Sequence, residues 1–252
     1  MSPSSPPGRD FDALAAFVDE LRPLAADNNL NGIRAAIAGY AERLGFERFT
    51  YHVIQPPHGP RVPFYISTYP EEWVARYVSE GYVKLDPVVG LASRSLVAFP
   101  WQDAWRDRGN GRQRELRQES GDLGLRNGLT VPIHSPGGGL ATLNFTASVG
   151  DKAFADIYRS SRHQLESLAL HVHELVLQNF YPSPDALPSL APRERECLLW
   201  ASEGKSNWEV GQILGLSEET VRTYIKSAAK KLGATNRLQT VVKAIAFGLI
   251  VR

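Results

Sequence analysis

Residues 217–232, Ser-Glu-Glu-Thr-Val-Arg-Thr-Tyr-Ile-Lys-Ser-Ala-Ala-Lys-Lys-Leu, constrain this chain more than any other stretch. Projected at about 100° per residue, Val221, Ile225, Ala228 and Leu232 fall on one narrow apolar face, while Arg222, Lys226 and Lys230 form a basic stripe on another. Such a helix needs a small core beneath it and solvent or an anion above it. Just upstream, Ser206 to Glu209 reads as a capping box opening a shorter helix through Val210, Ile213 and Leu214; Gly215 ends it and Ser217 caps the basic helix. Two short helices joined by a Gly-containing turn, the second carrying basic and hydroxyl side chains outward, have the sequence form of a helix-turn-helix. A basic stripe alone is more often a solvated face; the preceding helix and turn point to double-stranded DNA.

The charge distribution agrees. Residues 189–252 hold ten Lys and Arg against six Glu, the rest of the chain holds 18 basic against 21 acidic groups, and no acidic side chain follows Glu219. The cation excess therefore sits where phosphate binding requires it. At 252 residues and 43% hydrophobic content, the chain suits one large or two modest globular domains. No apolar run approaches the roughly 18 to 20 residues of a membrane span. The N-terminus, Met1 to Asp10, is polar and Pro-rich and lacks the apolar core of a signal peptide, so a cytoplasmic location without a membrane partner is expected. Cys197 is the only cysteine, which excludes an intrachain disulfide and a Cys-based zinc site; a small buried hydrophobe on the helix after Pro192 is expected there.

Along the chain, periodicity predicts helices over Phe11–Leu24 and Asn31–Leu44, then strands over Arg48–Ile54 and Val62–Ser67. A helix follows Tyr69, with Pro70 at its first position, another opens at Asp86-Pro87, and a third runs from Gln113 to Leu123. Gly128–Ile133 and Leu140–Thr146 flank Ser135–Gly139 and predict a hairpin; no Lys-Ser/Thr pair follows the triple glycine, so it is not a phosphate loop. A long amphipathic helix covers Lys152–Phe180, and the three prolines between Tyr181 and Pro188 read as a linker. The expected organisation is a ligand domain over 1–181, a linker over 182–188 and a helix-turn-helix domain over 189–252. The fold class is α+β, an antiparallel sheet with helical layers on both faces followed by an all-α domain.

Trp73 and Tyr77 stand four residues apart on one helix, with Tyr69 just before it. Aromatics at helical spacing usually form core. Here each also carries an N–H or O–H that needs a partner inside, which a ligand could supply. Asp86 is equally readable as a helix cap before Pro87 and as a buried acceptor. Catalysis finds no support: there is no Gly-x-Ser-x-Gly elbow and no His-Glu-x-x-His zinc motif, and His171 and His173 point apart on one helix. A phosphorylated receiver domain would show a βα repeat with acidic strand ends, which is missing. The expectation is a regulator, not an enzyme.

From Leu190 to Ile250 the chain resembles the DNA-binding domain of LuxR-type transcription regulators, through Pro192-Arg193-Glu194-Arg195-Glu196, Trp200, Gly204-Lys205-Ser206, Thr220-Val221, Lys231-Leu232, Asn236-Arg237 and Gly248-Leu249-Ile250. The resemblance implies a four-helix domain with structural positions at Glu194, Leu198 and Gly204. It places DNA-reading positions at Thr220, Arg222 and Lys226, with Thr223 and Lys230 on the same helix. Many members carry His where this chain has Tyr224. Roughly residues 48–175 resemble the autoinducer-binding domain of the same family, with Tyr69, Trp73 and Tyr77 inside Tyr-Pro-Glu-Glu-Trp-Val-Ala-Arg-Tyr, Asp86 inside Leu-Asp-Pro-Val-Val, and Trp101, Gly128 and Thr146 beyond. That resemblance implies an α/β/α sandwich holding an N-acyl-homoserine lactone and no cofactor. Trp73 would take the ring carbonyl, Asp86 the amide N–H, and Tyr69 or Thr146 the acyl carbonyl. Trp101 would pack on the lactone with Trp105 nearby, and Tyr77 and Val88 would line the acyl chain. It further implies a quorum-sensing homodimer on operator DNA, with RNA polymerase as a partner if the protein activates; a regulator answering another small molecule, or none, is the alternative. For the dimer, the resemblance favours the long helix near 152–180; Leu238, Val241, Val242, Ile245 and Leu249 of the last helix could pack on their own domain or join it.

Overall fold

The computed structural model describes residues 8–56, 64–106, 109–135, 138–181 and 188–250, with backbone alone for 8–12. Residues 182–187 of the expected linker, Val62 and Pro63 of the second expected strand, and Pro136 and Gly137 of the hairpin turn lie outside the described residues. The chain forms two compact units, the first ending at Tyr181 and the second made chiefly of the residues after it.

The first unit is organised by a five-stranded antiparallel sheet in the order β2 (Phe64–Ser67), β1 (Arg48–Gln55), β5 (Gly139–Thr146), β4 (Gly128–Ser135), β3 (Phe99–Pro100). In register, Thr50 faces Ser67 and Asn144, and His52 faces Tyr65 and Thr142. Side chains alternate across a strand, so each carries two different faces. Phe49, Tyr51 and Val53 of β1, with Leu143 and Phe145 of β5 and Leu129, Val131 and Ile133 of β4, are buried against α1 (Gly8–Ala26), α2 (Leu30–Arg43) and α7 (Asp151–Phe180). Thr50, His52, Tyr65, Thr130, Thr142 and Asn144 lie on the opposite face.

That polar face is covered by α3 (Glu71–Ser79), a 3-10 turn at Tyr82–Lys84, α4 (Pro87–Ala92), α5 (Trp101–Ala104) and α6 (Gly111–Asp122). Together with Leu125 after α6 and Phe99 of β3, their buried residues form two further clusters, one around Trp73, Tyr82 and Leu116, the other around Val88 and Ala92. The result is the α/β/α sandwich expected. Three small elements were not announced by periodicity: β3, the 3-10 turn and α5, each four residues or shorter. Pro70 is the N-cap of α3 rather than its first residue, its carbonyl accepting from Val74 N–H at 3.1 Å. In the otherwise apolar layer, the Tyr51 hydroxyl meets His173 Nδ1 at 2.7 Å and ties the sheet to α7. Burial lowers the His173 pKa to about 4, so the ring is neutral.

The second unit packs α8 (Pro192–Ser202), α9 (Asn207–Leu214), α10 (Glu218–Lys231) and α11 (Arg237–Ala246) around Cys197, Leu198, Val210, Val221, Ile225 and Ala228. Ser206 and Glu209 cap α9 reciprocally at 2.8 and 3.3 Å, Gly215 ends it with φ +67°, and Ser217 Oγ accepts from Thr220 N–H at 3.1 Å to open α10. A Cβ on Gly211 would stand 2.6 Å from the Leu216 carbonyl oxygen, so only glycine lets α9 lie against the turn. Buried Glu194 accepts from Ala191 N–H (2.7 Å), Ser227 (2.7 Å) and Lys231 (2.8 Å), joining α8 to α10. Burial pulls its pKa upward, but these partners outweigh it and hold it below the usual carboxylate range. The last helix divides its apolar residues: Val241 is buried, while Leu238, Val242 and Ile245 are exposed; Leu249, expected on the same helix, lies past its end at Ala246 and packs on the core. Among the described residues no helix is long and apolar enough to cross a membrane.

Candidate functional site

Between the polar face of the sheet and the α3–α6 layer lies a cavity of about 760 Å³. Seven of the eight expected ligand residues line it: Tyr69, Trp73, Tyr77, Asp86, Val88, Trp101 and Trp105. The eighth, Thr146, is buried at the end of β5 without lining the cavity. The sheet contributes Thr50, His52, Thr142 and Asn144 instead.

One helical turn on α3 puts Trp73 and Tyr77 side by side, their rings edge-to-face at 6.0 Å. Asp86 combines both of its readings. Its Oδ1 caps α4 by accepting from Val88 N–H at 2.8 Å, and its Oδ2 accepts from the Tyr77 hydroxyl at 2.8 Å. The protein itself therefore partners both oxygens of this carboxylate; with roughly four lone-pair positions it still has room for a further N–H. Burial pushes its pKa up to about 6 against the pull of those two bonds. Tyr77 thus joins a hydroxyl bonded to Asp86 to a ring packed against Trp73 and Tyr82. The Tyr69 hydroxyl, by contrast, is buried next to the Thr146 hydroxyl and within bonding geometry of no partner among the described residues. Burial drives its pKa well above the phenol range, with the neighbouring Thr146 hydroxyl opposing.

Opposite these groups a hydrogen-bonded chain crosses the sheet. Trp101 Nε1 donates to Thr130 Oγ1 at 2.9 Å, Thr130 to Asn144 Oδ1 at 2.6 Å, and Asn144 Nδ2 to both Thr50 O and Thr142 Oγ1 at 3.1 Å. A Cβ on Gly128 would meet the Trp101 ring at 2.7 Å, so glycine lets the indole lie flat on β4. The Arg117 guanidinium covers Trp105 at 5.5 Å. Sequence reasoning missed Thr50, His52, Thr130, Thr142 and Asn144. Their signal was present as polar alternation in β1 and β5, but such alternation ordinarily marks a solvated sheet face.

In the second unit all five expected DNA-facing residues lie on α10. Arg222, Thr223, Lys226 and Lys230 are exposed and Thr220 is half-buried. The Thr220 and Ser217 hydroxyls share a 2.7 Å bond, and Thr223 donates to Glu219 O at 2.9 Å. Arg222 rests 3.5 Å from Glu218 and 3.2 Å from Glu219, loose exposed pairs that an anion could displace. Lys226 and Lys230 have no ion pair among the described residues. Tyr224 packs partly against the domain core rather than joining the exposed stripe.

Residues 29–176 match the family described as autoinducer binding domain, and residues 188–244 match the bacterial regulatory proteins of the luxR family. The chain is 34% identical to the transcriptional activator protein VanR of Vibrio anguillarum, over 89% of this chain and 90% of that one. It is 31% identical to the transcriptional activator protein LuxR of Aliivibrio fischeri over 96% of each. Its fold is similar to the crystal structure of Escherichia coli SdiA, with a TM-score of 0.64 and 25% identity over 88% of this chain and 92% of that one.

Proposed function

Because the chain belongs to the LuxR family of bacterial transcription regulators, coupling an autoinducer-binding domain to a helix-turn-helix DNA-binding domain, we propose that it senses an N-acyl-homoserine lactone and binds operator DNA as a homodimer. The observation that carries the ligand class is that three polar groups border one cavity among several aromatic rings: the Trp73 indole, the Asp86 carboxylate and the Tyr69 hydroxyl, which has no hydrogen-bond partner among the described residues. A lactone carbonyl needs a donor, an amide N–H an acceptor, and an acyl carbonyl a second donor. Trp73, Asp86 and Tyr69 supply them in that order, with Trp101 and Trp105 against the ring and Tyr77 and Val88 along the chain. Thr146 acts through Tyr69. Apolar walls with a few converging polar groups are what a small-molecule pocket requires. No cofactor takes part.

For DNA, one α10 helix fits one major-groove segment, and two heads related by a two-fold axis read half-sites about one helical turn apart. Exposed Leu170 on α7 in the first unit and, separately, exposed Leu238, Val242 and Ile245 on α11 in the second support self-association through either unit. If the protein activates, as the names of its relatives suggest, RNA polymerase is the further partner. Mass spectrometry of small molecules extracted from the purified protein, with calorimetry against synthetic lactones and sedimentation with operator duplex, tests the proposal. Recovery of a lactone and a ligand-bound dimer on DNA supports it. A bound compound of another class, or tight operator binding by a monomer, overturns it.

A further inference from the structure

The polar sheet face holds more hydrogen-bonding capacity than a lactone head and its amide can use. His52 lines the cavity, touches the Tyr77 ring edge-to-face at 6.4 Å, and has no hydrogen-bond partner among the described residues. Burial lowers its pKa to about 4, so the ring is neutral and presents one N–H donor and one lone pair. Its register partner across the strand pair is Thr142. The Thr142 oxygen accepts from Asn144 at 3.1 Å, and the Thr142 hydroxyl proton has no acceptor among the described residues. Side chains opposed in this way stand about 4.5 to 5.5 Å apart at Cβ, close enough to grip one atom between them. Tyr77 links this pair to the head-binding end, since its hydroxyl is on Asp86 and its ring is on His52. Asp86 and His52 thus border the same cavity on either side of Tyr77, within the span of a short acyl chain.

We propose that His52 and Thr142 form a specificity site for an oxygen atom on the ligand's acyl chain, so that the preferred ligand is an oxo- or hydroxy-acyl lactone rather than one with a plain hydrocarbon chain. This rests on the lactone reading above. A methylene in that position leaves two enclosed polar groups unsatisfied, whereas a carbonyl accepts from both and a hydroxyl also donates to the imidazole lone pair. Sites built to bond an oxygen reject the analogue lacking it far more strongly than apolar pockets reject an extra methylene.

The test is calorimetric titration of the full chain with N-hexanoyl-, N-(3-oxohexanoyl)- and N-(3-hydroxyhexanoyl)-homoserine lactone and the matching octanoyl set. Wild type should bind an oxygenated member about tenfold or more tighter than its plain counterpart. His52→Leu should bring the ratio toward one, Thr142→Val should reduce it, and His52→Gln, which keeps a donor and an acceptor, should restore part of it. A wild-type protein that binds plain chains equally well or better, or a folded His52→Leu that keeps the preference, overturns the specificity site while leaving the lactone reading standing. Binding of no lactone at all overturns both.

Discussion

The Tyr77 hydroxyl donates to the carboxylate of Asp86 at 2.8 Å while the other oxygen of that carboxylate caps α4. One side chain thus holds a helix start, an aromatic wall and the acceptor of the cavity. Replacing it is not a clean deletion. Asp86→Ala should abolish lactone binding and also cost about 1 kcal/mol of stability through the lost cap; Asp86→Asn should keep most of the cap.

Affinity for a lactone should depend on pH through this same carboxyl. Its folded pKa of about 6 means that below that value it carries a proton where a ligand N–H needs an acceptor. Affinity should be full above about pH 7 and fall toward about tenfold per unit once pH drops well below the folded value. Isothermal titration from pH 5 to 8 checks this, and a flat wild-type profile would remove Asp86 from the ligand's amide.

Stability of the first unit should fall in acid for a different reason. His52 and His173 have folded values of about 4 against an ordinary 6.5, so the stability they contribute is present above 6.5 and is lost as pH falls toward 4. Asp86 opposes this, because its raised value favours the folded state below 3.8 and that contribution is lost as pH rises through about 6. His173→Phe should lessen the acid loss. It should also cost about 1 to 3 kcal/mol by stranding the Tyr51 hydroxyl, and the Tyr51→Phe, His173→Phe pair should cost less than the two single changes added. Urea unfolding at pH 4.5 and 7 measures all three.

Two glycines should separate the two activities. Gly128→Ala drives a methyl into the Trp101 ring, which must swing off Thr130; lactone affinity should drop about tenfold while DNA-binding residues stay intact. Gly211→Ala drives one against the Leu216 carbonyl, which is backbone and has little freedom to yield, so operator binding should be lost and lactone binding retained. Gel-shift and calorimetric assays on both variants give the answer, and loss of both activities in either would mean a global fold defect.

On α10, Arg222→Ala should relax base preference, since a bidentate Arg grip on guanine contributes roughly 1 to 3 kcal/mol of discrimination. Lys230→Ala should weaken binding to operator and scrambled duplexes alike and lower the salt slope by about one unit. An Arg222→Ala protein with undiminished sequence preference would mean that the helix docks by another face.

The second unit was legible in the sequence almost residue by residue because its signals are local. Ser206, Glu209, Gly215 and Ser217 act within one turn of where they stand. The buried role of Glu194 came only by family likeness, since its partners Ser227 and Lys231 are more than thirty residues away. In the first unit the aromatic pair on α3 and the Asp86 cap were readable for the same local reason. His52, Thr142 and Asn144 were not, because whether a polar strand face meets water or a cavity depends on helices that close over it from elsewhere. Thr146 shows the converse: its strand position matched, yet it ends up beside Tyr69 and outside the lining.

Odd and even positions of β1 answer to different demands. Phe49, Tyr51 and Val53 hold the sheet to its helices, while Thr50 and His52 between them border only the cavity and its lid. A substitution at residue 52 can therefore retune the chemical signal to which the regulator responds while the helix-facing residues of the strand stay as they are, whereas Asn144, which bonds Thr130, Thr142 and the Thr50 carbonyl, ties the cavity wall to the sheet and leaves folding less room there.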